Sequence, residues 1–312
     1  MSFSVTILGS GAALPTGKRN PTSQYIFCNN RHILIDCGEG TQMQLRKFGI
    51  PFQRITHIFI SHLHGDHFFG LPGLLSTMNL LGRNRGVTLY GPPQLKDILT
   101  QLFECGGQKL MFKLNFVPTS TDGEKILFED KLIEIKSFPL RHRIPTTGFR
   151  IQEKPKEFRL NPEAIEQDQI PIEFYHRLKK GESPINENGK IIDFKKYTSP
   201  PNPSFSYAYC SDTAYYEELI PFIKDATLLY HEATFTEKDK DRARLTFHST
   251  AQEAAQIAMA ANVKKLILGH LSSRYLETDE HHSEASAYFK NTTVAEDGMK
   301  MDLMSFHKNF EK

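Results

Sequence analysis

Short apolar runs separated by turn residues fill the first half of the chain. Such runs predict strands over residues 4–8, 24–29, 31–36, 55–60, 87–90, 114–118, 131–138 and 148–151. Apolar positions at helical spacing predict helices over residues 41–48, 71–81 and 92–103. Asn29 and Asn30 favour a tight hairpin turn between two of the strands. The nearly continuous apolar run at residues 55–60 is typical of a strand that is covered on both faces.

The same alternation returns near the end of the chain. Strands are predicted over residues 205–210, 226–230, 263–268 and 301–306, and helices over residues 213–223 and 250–261. The second of these helices has a clear start, because Thr250 and Glu253 form the Thr-x-x-Glu pattern of a capping box. Strands that alternate with helices in both halves predict a layered α/β domain.

Residues 153–203 interrupt this pattern. They are rich in Pro, Lys, Glu and Asn and lack periodic apolar positions. A segment of this length inside a compact domain is either disordered or a functional excursion. Its acidic and basic residues are balanced, and its one concentrated basic run is Arg177, Lys179 and Lys180. We therefore predict one domain made of residues 1–152 and 204–312, with residues 153–203 inserted into it.

The composition narrows the class of protein. The formal net charge is only +2, so an RNA partner would need a local basic patch. The four cysteines are scattered without a Cys-x-x-Cys pair, which argues against a disulfide framework and a cysteine-rich zinc finger. No stretch approaches the ~20 apolar residues of a membrane-spanning helix, and the first residues are predicted as a strand, not a signal peptide. We expect a cytoplasmic enzyme with no membrane partner.

Histidine is the compositional oddity, with 13 residues, several of them beside aspartate. Directly after the predicted strand at residues 55–60 comes Ser-His-Leu-His-Gly-Asp-His, which brings His62, His64, Asp66 and His67 within six positions. Side chains alternate along extended backbone, so His62 and His64 point to one side, and Gly65 permits a reversal that turns the other two toward a neighbouring site. Imidazole and carboxylate ligands without thiolates favour zinc. One loop can thus serve two ions ~3.5–4 Å apart, the separation used in two-metal hydrolysis.

The His-x-His-x-Asp-His motif resembles that of the metallo-β-lactamase superfamily, which implies a four-layer αββα sandwich with two Zn²⁺ at one edge of its sheets. The resemblance extends to His142 in PLRHRIPTTGFRI, Asp212 in YCSDT and His270 in LILGHLSSRY. A carboxylate has two oxygens and can serve two cations at once, and the resemblance gives Asp212 this bridging role. It implies that the first zinc is held by His62, His64, His142 and Asp212, and the second by Asp66, His67, His270 and Asp212.

Two further blocks are similar to those of the tRNase Z family within this superfamily, namely YHEATF at residues 230–235 and FHSTA at residues 247–251. The resemblance implies that Glu232 orients His248, and that His248 protonates the departing ribose oxygen, which would otherwise leave as an alkoxide. It also implies that Asp66 acts as the general base. Asp36 in LIDCGEG matches an aspartate that orients the metal ligands through hydrogen bonds.

The early loop Pro-Thr-Gly-Lys-Arg-Asn, residues 15–20, resembles the family's Pro-x-Lys-x-Arg-Asn loop, with Gly17 where lysine is usual. In the family this loop lies close to the cleavage site. The resemblance implies that Lys18, Arg19 and Asn20 bind the substrate near the 3′ end of the tRNA.

The insertion resembles the arm with which the long form of the family clamps the tRNA elbow. Its segment FYHRLKKGE, residues 174–182, is similar to the hand of that arm. The resemblance implies that Arg177, Lys179 and Lys180 bind the tRNA. Contacts of such residues with phosphates position RNA without reading its sequence.

The resemblance covers nearly the whole chain. It implies a zinc endoribonuclease that removes the 3′ trailer from precursor tRNA after the discriminator nucleotide and leaves a 3′-hydroxyl. It also implies a homodimer in which the arm of one subunit holds tRNA for the site of the other. Two alternatives stay open: a phosphodiesterase of the same superfamily that acts on small diesters or cyclic nucleotides, and a non-catalytic RNA-binding relative.

Overall fold

The computed structural model describes residues 2–307. The strands are β1 (Phe3–Gly9), β2 (Ser23–Cys28), β3 (Arg31–Cys37), β4 (His57–Phe59), β5 (Val87–Gly91), β6 (Leu114–Pro118), β7 (Lys125–Glu129), β8 (Ile133–Leu140), β9 (Thr146–Glu153), β10 (Arg159–Leu160), β11 (Thr198–Ser199), β12 (Ser206–Cys210), β13 (Leu228–Glu232), β14 (Leu266–Gly269), β15 (Thr292–Val294) and β16 (Lys300–Asp302). The helices are α1 (Thr41–Lys47), α2 (Gly65–Phe68), α3 (Leu71–Leu80), α4 (Gln94–Cys105), α5 (Pro162–Gln167), α6 (Tyr175–Lys179), α7 (Phe194–Tyr197), α8 (Ile220–Ile223), α9 (Lys240–Thr246), α10 (Ala251–Ala260), α11 (Asp279–Tyr288) and α12 (Met304–His307). Among these helices, none combines the length and the apolar character that a bilayer crossing requires.

The chain forms two compact units, one made of the residues up to Gln152 and from Phe205 onward, the other of Glu153–Ser204. The first unit contains two seven-stranded sheets, of order β16-β1-β2-β3-β4-β5-β6 and β15-β14-β13-β12-β9-β8-β7. Side chains alternate along each strand, so each sheet has one face toward the other sheet and one toward helices. In β12, Tyr207 and Tyr209 belong to the core that both sheets share, whereas Ala208 belongs to the core beneath the helices.

Helices cover the outer faces of both sheets. Leu45 of α1 and Leu74 of α3 pack into the core of the first sheet, with Leu34 of β3. Ile223 of α8 and Ala254 of α10 pack into the core of the second sheet. The layers are therefore helix, sheet, sheet and helix, and the predicted αββα fold class is confirmed.

The second unit, Glu153–Ser204, is called the arm below. Strands β10 and β11 pair in antiparallel fashion, and Asn161 caps α5 by accepting a hydrogen bond from the backbone of Ala164. A small apolar core holds the unit together: Ile165, Phe174, Leu178, Ile192 and Tyr197. Of the two states that the sequence left open for this segment, the arm adopts an ordered, folded one.

Two predicted elements near the end of the chain are wrong in extent. Only Glu217–Leu219, a 3₁₀ turn, and α8 are helical within residues 213–223. The residues before Glu217 are anchored by tertiary hydrogen bonds, from the N–H of Thr213 to Glu232 and from the N–H of Ala214 to the carbonyl of Arg141, and the backbone of Tyr216 is extended, with φ −159° and ψ 136°. The predicted strand at residues 301–306 ends at Asp302, whose carboxylate accepts a hydrogen bond from the backbone of Met304 and starts α12 instead.

Other predicted elements hold with small shifts, and several short elements had no clear pattern. Of the strand predicted at residues 55–60, only His57–Phe59, which is β4, forms a strand. Strands β7 and β15 and helices α9 and α11 were not predicted. β7 is the outermost strand of its sheet, so its alternation of apolar and polar residues is weak.

Candidate metal centre

The loop after β4 carries the histidine motif to the edge of the first sheet. β4 runs parallel to β3 and β5, and the carboxyl ends of parallel strands share one edge. The backbone of His64 is extended, with φ −73° and ψ 143°, and α2 begins at the next residue, Gly65. The extended stretch directs His62 and His64 into one group, and the helical turn directs Asp66 and His67 into another.

Asp212, two residues beyond β12, lies between these two groups. Its Oδ2 atom is 3.6 Å from both His62 Nε2 and His142 Nε2. His64 Nδ1 completes the group, at 3.0 Å from His62 Nε2 and 3.3 Å from His142 Nε2. These four residues form one candidate metal site.

The other oxygen of Asp212 faces the second group. Asp212 Oδ1 lies 3.1 Å from His270 Nε2 and 3.2 Å from His67 Nε2, and these two nitrogens are 3.3 Å apart. Asp66 Oδ2 lies 3.3 Å from His270 Nε2 and 3.5 Å from His67 Nε2. One buried carboxylate thus reaches two neighbouring ligand groups through its two oxygens.

The spacing in both groups fits zinc. Ligand atoms at the corners of a tetrahedron with zinc bonds of 2.0–2.2 Å lie about 3.3–3.6 Å from one another. The separations in the first group run from 3.0 Å to 3.6 Å, and those in the second from 3.1 Å to 3.5 Å. The atoms are imidazole nitrogens and carboxylate oxygens, a donor set that suits zinc and other divalent transition metals. The cluster therefore has the composition and geometry of a metal centre.

A buried carboxylate behind the cluster orients His67. Asp36 Oδ2 lies 2.8 Å from His67 Nδ1, and because a carboxylate only accepts, the ring proton lies on Nδ1 and the lone pair of Nε2 faces the cluster. Asp36 also accepts hydrogen bonds from Ser61 N at 2.7 Å, Ser61 Oγ at 2.9 Å and Tyr209 Oη at 2.6 Å. The backbone at Asp36 is left-handed, with φ +54°.

Two other histidines are oriented in the same way. His142 Nδ1 donates to the carbonyl of Phe247 at 2.9 Å. His270 Nδ1 lies 2.9 Å from Thr234 Oγ1, whose own hydroxyl donates to Glu232 Oε2 at 2.8 Å. Both rings therefore hold their proton on the outer nitrogen and turn Nε2 toward the cluster.

The groups that bond the outer nitrogens of the cluster histidines are called the outer layer below, and Glu232 connects this outer layer to His248. Glu232 is fully buried, and its Oε1 atom lies 2.7 Å from His248 Nδ1. The N–H of Thr213 donates to the same oxygen at 2.9 Å, and the N–H of Thr234 donates to the other at 3.0 Å. Burial works against a charged ring at His248, but the charge and hydrogen bond of Glu232 raise the pKa of His248 to about 9. These contacts hold the His248 ring in place and favour its protonated form.

The charges of the cluster favour a bound cation. Burial alone would raise the pKa of Asp212, but His270, His67 and His62 hold it well below its ordinary range. Burial would lower the pKa of His67, but Asp212, Asp66 and Asp36 raise it well above its ordinary value. The same three carboxylates would attract a divalent ion, and ion binding at Nε2 would replace the proton that they attract to His67.

The cluster opens into a cavity of about 770 Å³ within the first unit. Cluster residues form its floor, and residues 12–15, residues of α9 with His248 after it, and the residues after β14 form its walls. Among the lining side chains are Leu14, Phe69, Arg143, Arg242, His248 and Arg274.

The early-loop residues predicted to bind substrate lie beside this cavity, in a second cavity of about 300 Å³. Lys18 forms an exposed ion pair with Glu277 at 3.0 Å. Arg19 Nη1 donates to the carbonyl of Tyr275 at 2.8 Å, and the side chain of Asn20 donates to Asp297 Oδ2 at 2.9 Å. The structure thus uses Arg19 and Asn20 to fix the loop, and Lys18 is the most exposed of the three.

The basic residues predicted in the arm lie on α6 and directly after it. Arg177 Nε donates to Glu182 Oε2 at 2.9 Å. Lys180 is exposed and Lys179 is half-buried. Arg177 is therefore partly neutralised within the arm, and the two lysines carry its local positive charge.

Several groups in the outer layer were missed by sequence reasoning. Thr234 lies between Glu232 and His270, and the carbonyl of Phe247 holds His142. A carbonyl carries no sequence signal, but Thr234 stands within the HEATF block and could have been found there.

Comparison with known proteins gives one family model, described as Anti-Pycsar protein Apyc1, which matches residues 3–153. Ribonuclease Z of Parabacteroides distasonis is 42% identical over 303 residues, covering 96% of this chain and 99% of that protein. The crystal structure of human tRNase Z, short form, has a TM-score of 0.70 and 30% identity, covering 96% of this chain and 98% of that one. The metallo-β-lactamase-fold protein YhfI from Bacillus subtilis shares the fold, with a TM-score of 0.67 at 18% identity over 97% of this chain and 100% of that one.

Proposed function

The chain belongs to the ribonuclease Z family of metallo-β-lactamase-fold hydrolases, and we propose that it cleaves precursor tRNA after the discriminator nucleotide. It is an endoribonuclease of tRNA 3′ processing, and the proposed products are a tRNA with a 3′-hydroxyl and a released trailer. The observation that carries this proposal is the position of Asp212, whose two oxygens face two separate groups of histidines.

We propose that these groups hold two zinc ions. His62, His64, His142 and Asp212 would bind the first, and Asp66, His67, His270 and Asp212 the second. When bound, such a pair supplies activation of water at neutral pH and neutralisation of charge on the scissile phosphate. The donor set and the tetrahedral spacing support this assignment.

His248 is proposed to donate the proton that the leaving 3′ oxygen needs. Its ring lines the cavity, and Glu232 both holds Nδ1 and keeps the ring charged. A donor at this position would spare the departing oxygen from leaving as an alkoxide. Glu232 acts through His248 and is a positioning residue.

Asp66 is proposed as the base that accepts the proton of the attacking water. Its Oδ2 atom faces the cluster and also accepts a hydrogen bond from the N–H of Ala13 at 2.8 Å. Burial would raise the pKa of Asp66, but His67 and His270 hold it well below its ordinary range. Asp66 is therefore ionised, which a group that accepts a proton must be.

The arm is proposed to bind the tRNA away from the cut. Lys179 and Lys180, with Arg177 beside them, would meet backbone phosphates, a contact that suits recognition of folded RNA by its shape. Lys18 would meet the substrate near its 3′ end. We also propose a cytoplasmic homodimer in which the arm of one subunit serves the site of the other.

The central test uses a precursor tRNA with a labelled trailer and zinc-loaded protein. The wild type should release one trailer fragment, and His248→Ala should lose most of this activity. His282→Ala, which removes an exposed histidine of α11, is the matched control and should cleave normally. Absence of cleavage by the wild type, or normal cleavage by His248→Ala, would defeat the proposal.

A phosphodiesterase of small substrates is the alternative that the structure keeps open, because every residue lining the metal cavity belongs to the first unit. Replacing residues 154–203 by a short Gly/Ser linker separates the two functions. A tRNA enzyme should lose precursor cleavage and keep turnover of a small chromogenic diester. Equal retention of both activities would favour the alternative.

The homodimer is tested by mixing two inactive proteins. Light scattering should first give twice the mass of one chain. The armless protein and His248→Ala should then recover cleavage when their subunits are exchanged, because a mixed dimer holds one intact arm and one intact site. Failure to recover would contradict service across the dimer.

A further inference from the structure

We propose that Phe69 is the surface on which a nucleobase beside the scissile phosphate stacks. The proposal rests on the proposed function of the metal cluster and adds a residue that positions the substrate. It concerns the base on one side of the cut, which the cluster, the arm and the early loop do not account for.

The two consecutive phenylalanines after the histidine motif have opposite environments. Phe68 is 7% exposed and packs in the core of the first sheet, whereas Phe69 is 65% exposed. Phe69 lines the same cavity as His64, Asp66 and Asp212. A large apolar ring that remains exposed costs free energy in water, so its position over the floor of a substrate cavity calls for a ligand.

The backbone and neighbours of Phe69 hold its ring in place. The backbone N–H of Phe69 donates to the carbonyl of Gly65 at 2.9 Å, and the backbone N–H of Gly70 donates to the carbonyl of Cys37 at 2.9 Å. The ring lies so close over Gly65 that a Cβ there would be 2.3 Å from Phe69 Cε2. Phe68 supports it from the side, with ring centroids 5.0 Å apart and an interplanar angle of 65°. Gly65 therefore lets the ring pack on the metal loop.

The walls of the cavity supply the charge that a nucleotide chain requires. Arg143, Arg242 and Arg274 line it and are exposed, and within residues 2–307 none of the three forms an ion pair with a carboxylate. Arginines that meet phosphates, beside an aromatic ring that meets a base, are the combination with which proteins bind single-stranded nucleic acid. An RNA strand fits this cavity better than a small anionic diester, because a diester alone would not require an exposed phenyl ring.

The test compares kcat/KM for precursor tRNA between the wild type, Phe69→Ala, Phe69→Leu and Phe69→Tyr. Loss of one stacked base predicts a roughly 5- to 150-fold lower kcat/KM for Phe69→Ala. Phe69→Tyr keeps the ring and should stay near wild type, and Phe69→Leu keeps only apolar bulk and should fall between the two. Tyr288→Ala, which removes an exposed ring outside the cavity, is the matched control and should have no effect.

Abasic substrates identify the base. Two precursors are made, one without the discriminator base and one without the first trailer base. With one of them, Phe69→Ala should cleave as fast as the wild type, because the stacking partner is already missing. Either precursor giving this result supports the proposal and names the base.

Three results would overturn the proposal, each against a wild type that cleaves precursor tRNA. They are unchanged cleavage by Phe69→Ala, an equal loss on both abasic precursors, or a fall in the zinc content of Phe69→Ala, which would show damage to the metal loop. A wild type that does not cleave precursor tRNA would instead defeat the proposed function.

Discussion

Replacing Asp36 by asparagine tests whether the layer behind the cluster sets its affinity for cations. Asp36 is fully buried and collects four donors. Oδ1 accepts from Ser61 N, and Oδ2 accepts from Ser61 Oγ, Tyr209 Oη and His67 Nδ1. The substitution keeps the shape of the side chain and removes its charge and one acceptor.

The size of the effect follows from counting acceptors. An asparagine has one oxygen, which is best placed where three donors converge, and its amide group then faces Ser61 N–H. One buried donor loses its partner, which costs about 1–3 kcal/mol of unfolding free energy. The neutral amide also accepts more weakly from His67 Nδ1–H, so His67 Nε2 becomes a poorer ligand. Changes behind a metal ligand typically cost about 10–100-fold in metal affinity or activity.

The assay is titration of ion-free protein with zinc in the presence of a chromogenic chelator. Two binding steps are expected for the wild type, and the step that involves His67 should weaken about 10–100-fold in Asp36→Asn. Asp130→Asn is the control, because Asp130 is a partly exposed carboxylate paired with Arg31 outside the cluster. Urea unfolding with chelator present measures the stability term separately.

A folded Asp36→Asn protein that binds two zinc ions as tightly as the wild type would refute the reasoning. It would mean that the orientation of His67 is fixed by packing alone. A weakened first site with an intact second site would also contradict the assignment, since Asp36 contacts His67 directly and reaches the first site only through Ser61 Oγ, which lies 3.0 Å from His62 Nδ1.

The remaining predictions concern the proton donor, a packing contact and the ions themselves. Because Glu232 raises the pKa of His248 to about 9, His248 keeps its proton below that pH, and kcat/KM should fall only above about pH 9. Glu232→Gln removes the charge that raises this pKa, so it should move the fall in kcat/KM to lower pH. In Gly269→Ala the new Cβ would lie 2.1 Å from Tyr230 Oη, so thermal unfolding should show a loss of about 1–3 kcal/mol, whereas Gly17→Ala has open space and should be neutral. Chelation should lower the melting temperature, and zinc should restore it, because a ligand of the native state stabilises it.

Much of the cluster could be predicted because its residues follow strand ends. His270 comes directly after β14, and Asp212 and His142 each come two residues after their strands, β12 and β8. Carboxyl ends of parallel strands meet at one edge, so residues distant in sequence converge there. The pattern of short apolar runs was enough to place these ends within one or two residues.

The parts that could not be predicted depend on tertiary contacts. The apolar spacing of residues 213–223 fits a helix, but tertiary hydrogen bonds from Thr213 to Glu232 and from Ala214 to Arg141 anchor its first residues, and the backbone of Tyr216 is extended. The local sequence does not indicate an acceptor that a distant segment contributes. For the same reason the hydrogen bond between His142 and the carbonyl of Phe247 could not be predicted.

Tertiary contacts at the cluster must also offset the free-energy cost of a left-handed backbone at several of its residues. Asp36, His270, Phe247 and Ala13 all adopt left-handed φ, between +54° and +58°. Each of the four contributes a group to the site: a carboxylate to His67, an imidazole, a carbonyl to His142 and an N–H to Asp66. A non-glycine residue in this conformation costs roughly 1–2 kcal/mol, and glycine would relieve it. Glycine would also remove the side chains of Asp36 and His270, so at these two positions the chemistry of the site outweighs the local cost. The spacing of apolar residues carries no information about backbone strain that is offset by contacts in the site. For this reason the sequence predicts the residues of this cluster but not the left-handed backbone at these positions.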